Sequence, residues 1–214
     1  MFPKRGSKGP QVKLLTIWFG ANDACLEQSP QCVRIFILVP NYISSNEMQC
    51  ALQVSVERFV QNMKTLISMV QSPESEWYSP STKIVLITPP PISETARAAD
   101  LASRDPPLAC DRTAEHSKRY VDAVLALGEE FQLPTVNVYQ PIWDLTENGN
   151  PAKLAIYLGD GLHLTAAGYT VSYSALFGTF TERNGQILFD ELMRTIQTSY
   201  PELYPEAIPM QFPP

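Results

Sequence analysis

Two short segments, far apart in the chain, carry side chains suited to acyl-transfer chemistry. The first is Gly20-Ala21-Asn22-Asp23, which directly follows an apolar run of strand length. An asparagine at the end of such a strand can direct its side-chain N–H groups at a developing oxyanion. Glycine, asparagine and aspartate are also common turn residues, so this segment alone favours a simple turn at least as strongly as a site.

The second segment is Asp160-Gly161-Leu162-His163. An aspartate three residues before a histidine can fold back through the glycine and accept the Nδ1–H of the ring. That arrangement leaves Nε2 as a general base, as in a Ser–His–Asp triad. The alternative is a turn aspartate beside a histidine with no chemical role. The other histidine, His116, lies in a charged stretch (AEHSKR) and is predicted to be exposed, and Asp23 and Asp144 are interpreted as structural.

The elements that would position these segments alternate between strands and helices. Apolar runs predict three strands, at Val12–Phe19, Lys83–Thr88 and Thr135–Tyr139. The first run has no polar alternation, so its strand is predicted to be buried on both faces, as in a parallel sheet. With helices between them, these strands predict an α/β fold with right-handed crossovers.

Apolar residues at helical spacing predict the two crossover helices. The first stripe consists of Phe59, Met63, Leu66 and Val70. The second, within Thr113–Phe131, consists of Tyr120, Val124, Leu127 and Phe131. Thr165 is predicted to cap a final helix.

Length and composition are those of one globular domain of 214 residues, with 44% apolar and 18% charged residues. A net charge of −6 without a basic cluster argues against nucleic acid as a partner. No apolar run approaches the roughly 20 residues of a membrane helix. The four cysteines, at 25, 32, 50 and 110, lack ligand-like spacing and are interpreted as free thiols in the cytoplasm.

The sequence WFGANDACL, followed much later by DGLHLTAAGY, resembles the third and fifth blocks of the GDSL/SGNH hydrolases. The intervening VLITPPPI is similar to the isoamyl acetate-hydrolysing esterases of that family. The resemblance implies a three-layer, flavodoxin-like α/β fold with five parallel strands. It also implies Asn22 and Gly20 at the oxyanion position, Asp160 and His163 as catalytic acid and base, and no metal or organic cofactor.

The chain departs from this family in its first residues. A Gly-Asp-Ser block carrying the nucleophile should precede the Val12–Phe19 strand, yet only 11 residues do so. Ser7 follows no strand and is rejected as the nucleophile. We therefore expect the first strands and the serine to belong upstream of Met1, Val12–Phe19 to lie at a sheet edge, and this fragment to be inactive. An incomplete gene model is favoured over a natural pseudoenzyme.

Two segments interrupt the predicted elements and are interpreted as insertions, at 33–53 and 171–186. Each begins with valine and ends with glutamine, as a translated short intron beginning GT and ending CAG would. Removing the second brings Tyr169 into one apolar helical stripe with Leu188, Phe189, Leu192 and Ile196.

The sequence as a whole favours a hydrolase of short-chain, acetate-type carboxylic esters, acting on a small-molecule substrate. Two alternatives remain open: a non-catalytic ester-binding or interaction protein on the same scaffold, and an acyltransferase that uses the same residues. Acyl and alcohol preference and oligomeric state have no signature in the sequence.

Overall fold

The centre of the protein is a parallel sheet of three strands, in the order β1 (Leu14–Trp18), β2 (Lys83–Ile87) and β3 (Thr135–Val136). A computed structural model describes the chain over residues 2–8, 11–26 and 53–169. Leu14 pairs with Lys83, and Leu86 pairs with Thr135. All three predicted strands are present and parallel, which confirms the α/β class.

Five helices of at least seven residues surround this sheet in the described ranges: α1 (Val56–Gln71), α2 (Glu94–Ala102), α3 (Ala114–Phe131), α4 (Tyr139–Leu145) and α5 (Pro151–Tyr157). Side chains of Ser55, Ser93, Thr113 and Asn150 accept N–H groups at the starts of four of them. None of these helices is long and apolar enough to cross a bilayer. Thr165 accepts the N–H of Gly168 at 3.0 Å and begins a helical turn, as predicted.

The main core lies between the sheet and helices α1 and α3. Its buried members include Ile17, Ile84 and Leu86 from the strands, Phe59, Met63, Ile67 and Val70 from α1, and Tyr120, Val124 and Leu127 from α3. The α3 stripe is as predicted. In α1 the prediction of Leu66 was wrong: that side chain is 36% exposed, and Ile67 occupies the inward position. The spacing of four residues from Met63 to Ile67 follows the turn of the helix more closely.

Two strand predictions also needed correction. Strand β1 is not buried on both faces, because Thr16 and Trp18 are exposed and only Ile17 is fully buried. Within the described residues β1 pairs only with β2, so it lies at an edge, as expected. Strand β3 ends at Val136, because the Thr88 hydroxyl accepts the N–H groups of Val138 and Tyr139 and the chain turns there into α4.

The predicted insertions lie outside the described residues, apart from Gln53, but the ends flanking the first one are visible. The N–H of Val54 donates to the carbonyl of Asp23 at 3.2 Å. On the other side, the N–H of Leu26 donates to the carbonyl of Asp111 at 2.8 Å. The chain therefore leaves and re-enters the described structure at adjacent, anchored points.

We expect deletion of 33–53 to leave the fold intact. Closing a connection costs about 0.6 kcal/mol for each doubling of its length, so shortening it from 27 residues (27–53) to six (27–32) should favour folding by about 1 kcal/mol. Urea unfolding of the deleted and undeleted chains provides the measurement. A loss of more than about 2 kcal/mol would mean that the segment is part of the core and not an insertion.

Candidate active site

The first half of the site is the Asn22 loop, residues 20–25, at the carboxyl end of β1. Asp23 shapes this loop by accepting the backbone N–H of Gly20 through Oδ2 at 3.1 Å. Two turn hydrogen bonds follow, from the N–H of Ala24 to Gly20 and from the N–H of Cys25 to Asn22. Asn22 is exposed at the tip, whereas Gly20 is buried. The segment is therefore a turn, and the asparagine is exposed on it; its oxyanion role stays a prediction.

Gly20 allows the backbone of this loop to adopt a conformation that other residues rarely adopt. Its φ is +111°, a region that residues with a Cβ rarely adopt, and an added Cβ would lie 3.2 Å from Cγ of Pro89. Its N–H is already bound to Asp23, so it does not point unpaired into a cleft. The side chain of Asn22 is the better placed of the two predicted oxyanion donors.

The second half is the Asp160 turn, residues 160–163. Oδ1 of Asp160 accepts the backbone N–H groups of Leu162 at 3.0 Å and His163 at 2.7 Å. Oδ2 lies 2.9 Å from Nδ1 of the His163 ring. The predicted contact between this aspartate and histidine is therefore confirmed. The ring itself is 78% exposed, so His163 is not a core residue.

The protonation state of Asp160 determines which nitrogen of His163 carries hydrogen. Burial raises the pKa of Asp160, but the hydrogen bonds from the His163 backbone, the His163 ring and the Leu162 backbone outweigh it and lower that pKa to about 2. At neutral pH the carboxylate is ionised and can only accept, so Nδ1 of the neutral ring must donate. Nε2 is then the unprotonated nitrogen of this largely exposed ring.

Gly161 allows this turn to pack directly on the start of α2. It adopts φ +80°, and an added Cβ would lie 2.4 Å from the backbone nitrogen of Arg97 and 2.5 Å from the carbonyl oxygen of Ser93. The N–H of Ser93 also donates to the carbonyl of Gly161 at 2.9 Å. The position of the Asp160 turn is thus set by the first turn of α2.

A buried charge cluster, made of Arg97, Asp111 and Arg112, connects the two halves. Nε and Nη2 of Arg97 donate to the two carboxylate oxygens of Asp111 at 3.0 and 3.1 Å, and Nη1 donates to Oδ2 of Asp160 at 2.9 Å. Nη1 of Arg112 also donates to Asp111. On its other side Arg112 donates to the carbonyl of Ala21 at 3.1 Å and, at 3.5 Å, to Oδ1 of Asn22.

Two members of the cluster, Arg97 and Asp111, stabilise each other in their charged forms. Burial lowers the pKa of Arg97, but Asp111, Asp160 and Asp100 outweigh it and hold that pKa above its usual value. Burial likewise raises the pKa of Asp111, and hydrogen bonds from Arg97 and Arg112 hold it below its usual range. Buried charges are tolerated when each has a hydrogen-bonded counter-ion, as these do.

None of the three cluster residues was predicted to be functional. Arg97 precedes the buried Leu101 by one helical turn and so lies on the inward face of α2. An arginine at an inward helical position is the one feature of the sequence that could have indicated a buried ion pair here. Asp160 lies 63 residues from Arg97, which is why local spacing did not join them.

The remaining candidates lie elsewhere. Ser7 is exposed in a turn whose neighbour Arg5 donates to the carbonyl of Glu76, beyond the end of α1. That is the amino-terminal edge of the sheet, opposite the Asn22 loop. Asp144 accepts from Gln140 within α4. The prediction for His116 was wrong, because its ring packs edge-on against Tyr120 and is only partly exposed.

The place predicted for the nucleophile is not part of this structure. That prediction puts the serine upstream of Met1, and Met1 itself lies outside the described residues, which begin at Phe2. The described part of the site therefore consists of the histidine, its aspartate and the asparagine loop. The source of the serine stays a prediction.

In the described ranges, no three His, Cys, Asp or Glu side chains group as metal ligands. Both described cysteines, buried Cys25 and partly buried Cys110, are free thiols.

The chain is similar to known proteins over most of its length. The chain is 31% identical to a GDSL esterase/lipase of Arabidopsis thaliana, over 97% of this chain and 68% of that protein. It is 25% identical to the isoamyl acetate-hydrolyzing esterase 1 homolog of Bos taurus, over 94% of this chain and 69% of the relative. Identity to the isoamyl acetate-hydrolyzing esterase of Saccharomyces cerevisiae is 24%, over 91% and 61%. The chain thus spans roughly two thirds of each relative's length.

The family model for GDSL-like lipases and acylhydrolases matches residues 2–171. That range contains the Asn22 loop, the Asp160 turn and the buried charge cluster that joins them. The chain therefore belongs to the GDSL-like lipase/acylhydrolase family, whose members are hydrolases acting on ester bonds.

Proposed function

We propose that this site hydrolyses short-chain carboxylic esters of the acetate type. The observation that carries the proposal is the exposed His163 ring, which ionised Asp160 holds through Nδ1. The buried charge cluster joins this pair to the loop that presents Asn22. A ring fixed in this way offers Nε2 as a base, and the amide of Asn22 offers N–H donors. Base and oxyanion donor are the two protein groups that acyl transfer needs beside a nucleophile.

In the proposed reaction, a serine hydroxyl attacks the ester carbonyl while Nε2 of His163 takes its proton. The new O–C bond produces a tetrahedral oxyanion, to which Nδ2 of Asn22 donates. The bond to the leaving alkoxide then breaks, and Nε2 returns the proton to release the alcohol. Water repeats the sequence on the acyl-serine and releases the acid. Asp160 stays ionised throughout and stabilises the imidazolium.

Arg112 supports the role given to Asn22. By donating to Oδ1 at 3.5 Å, the guanidinium favours the amide orientation in which Nδ2 points away from the buried charge cluster. Among the described residues Nδ2 has no hydrogen-bond partner, so its two N–H groups can serve a substrate oxygen.

The nucleophile belongs to the proposal as well. Within the described residues the His163 ring bonds only Asp160, and Ser7 lies at the opposite edge of the sheet. Because β2 has five residues at about 3.3 Å each, the two edges are roughly 16 Å apart. We propose that the serine comes from a Gly-Asp-Ser block upstream of Met1, that this fragment is inactive without it, and that the whole protein acts in the cytoplasm.

The acetate preference is supported by the printed names of two relatives, which describe isoamyl acetate-hydrolyzing esterases. The test compares p-nitrophenyl acetate with longer acyl esters, using both this chain and the protein translated from its complete transcript. We expect a burst of p-nitrophenol and turnover from the complete protein, fastest with acetate, and neither from the 214-residue chain.

Three results would contradict the proposal. Faster hydrolysis of long-chain esters would remove the acetate preference. Transfer of the acetyl group to an added alcohol in preference to water would indicate an acyltransferase. Ester binding without turnover by the complete protein would indicate a non-catalytic binding protein on the same scaffold.

A further inference from the structure

The side chain of Arg97 is held more firmly than an ordinary surface arginine. It is 3% exposed, and two of its three nitrogens face both oxygens of Asp111, itself 0% exposed. This side-on pairing defines the plane of the guanidinium, because both hydrogen bonds must be satisfied together. The direction of the third nitrogen, Nη1, is thereby determined.

That third nitrogen donates to the catalytic aspartate of the proposed reaction and, at the longer distance of 3.3 Å, to Asp100. Nη1 lies 2.9 Å from Oδ2 of Asp160, the same oxygen that lies 2.9 Å from Nδ1 of His163. The two backbone N–H groups bind Oδ1, so among the hydrogen bonds to Asp160 only those from Arg97 and the His163 ring act on Oδ2 directly. Arg97 is thus the described side chain, besides His163 itself, that bonds Oδ2.

The same anchor reaches the Asn22 loop. Asp111 accepts both Arg97 and Arg112, and Arg112 donates to Ala21 and Asn22. A shift of Asp111 would therefore move the base and the oxyanion donor together.

We propose that Arg97 is a positioning residue. Anchored on Asp111, it holds Oδ2 of Asp160 against Nδ1 of His163. Through Asp111 and Arg112 it also fixes the position of this pair relative to Asn22. The inference rests on the proposed function for its catalytic consequence, but its structural part concerns only the described residues. Lysine cannot replace arginine here, because a point charge on a single nitrogen cannot bridge Asp111 and Asp160 at fixed angles.

The test uses Arg97→Lys and Arg97→Met, with Arg104→Met as the matched control. Arg104 follows α2 and is 43% exposed. It pairs at 2.7 Å with Oδ2 of Asp100, which Arg97 also contacts at 3.3 Å, but it bonds neither Asp111 nor Asp160, so it removes an arginine from the same helix end without touching the bridge. Nitrogen-15 NMR of the neutral His163 ring in the 214-residue chain reports which ring nitrogen carries hydrogen. The readout needs no nucleophile.

We expect the unaltered chain and Arg104→Met to hold His163 predominantly in the Nδ1–H form. In both Arg97 variants that form should fall to about half or less, since Oδ2 is no longer fixed. In the complete protein, kcat should fall about 100-fold with little change in KM, as for a misplaced catalytic group. A purely structural role would lower stability without moving the tautomer or separating kcat from KM.

An unchanged His163 tautomer in folded Arg97→Lys would overturn the proposal. So would an Arg97→Lys chain that does not fold, because Arg97 would then serve stability alone. Absence of ester hydrolysis by the complete protein is a different result: it would refute the proposed function, while the NMR comparison would still decide the role of Arg97.

Discussion

His163→Ala is expected to abolish ester hydrolysis by the complete protein, lowering kcat by at least about 10⁴-fold, as removal of a triad histidine does elsewhere. Its ring makes one hydrogen bond in the described structure and is 78% exposed. The free energy of unfolding should therefore change by no more than about 1 kcal/mol. Steady-state kinetics and urea unfolding of the same preparation separate the two effects.

The other histidine provides the matched control. His116→Ala removes a ring that packs on Tyr120 at a centroid distance of 5.4 Å, close to the main core. This substitution should lower the free energy of unfolding, while kcat per folded molecule should stay unchanged. Substantial hydrolysis by His163→Ala would show that the base lies elsewhere. If His116→Ala lost turnover while keeping its full stability, His116 and not His163 would be the base.

The second large effect concerns stability. Asp111→Ala should lower the free energy of unfolding by about 3–5 kcal/mol, because it leaves buried guanidinium groups without their shared counter-ion. The side chains of Arg97 and Arg112 are only 3% and 1% exposed, so water cannot replace the lost carboxylate without local opening. A loss of this size is a large fraction of the roughly 5–15 kcal/mol by which a typical single domain is stabilised.

Asp122→Ala is the control, because it removes an aspartate from an exposed surface ion pair. Asp122 pairs with Lys118 on α3, with 58% and 38% of the two side chains exposed, and such pairs contribute at most about 1 kcal/mol. Chemical denaturation of both variants provides the comparison. If Asp111→Ala were no less stable than Asp122→Ala, the buried charge cluster would not hold the two halves of the site together.

Features set by neighbouring residues were predictable from the sequence. The strand runs, the α3 stripe and the contact of Asp160 with His163 depend on spacings of two to four residues, where backbone geometry limits the outcomes. The predicted strand β3 is longer than the observed one, because TVNVY has strand-forming residues throughout. The observed strand ends where the Thr88 hydroxyl accepts the N–H of Val138, and Thr88 follows a different strand, β2. A local pattern cannot contain that contact.

The buried charge cluster also depends on contacts between residues that are far apart in the sequence, so the sequence did not predict it. Arginine and aspartate are mostly exposed, so the sequence around Arg97 (ETARAADLA) is typical of a solvated helix. Burial of this residue depends on Asp111 and Asp160, which the fold brings together from 14 and 63 residues away. The sequence therefore indicated the two exposed ends of the candidate site, Asn22 and His163, but not the buried cluster that connects them.

Gly161 has a consequence for the genetics of this protein. Every amino acid other than glycine carries a Cβ, and at this position a Cβ would lie within 2.5 Å of backbone atoms in and before α2 that cannot move aside individually. Any missense change in this codon is thus disruptive, whatever the chemistry of the new residue, because it displaces the neighbouring Asp160. Natural variants should consequently be depleted at codon 161 even where the exposed surface nearby varies freely.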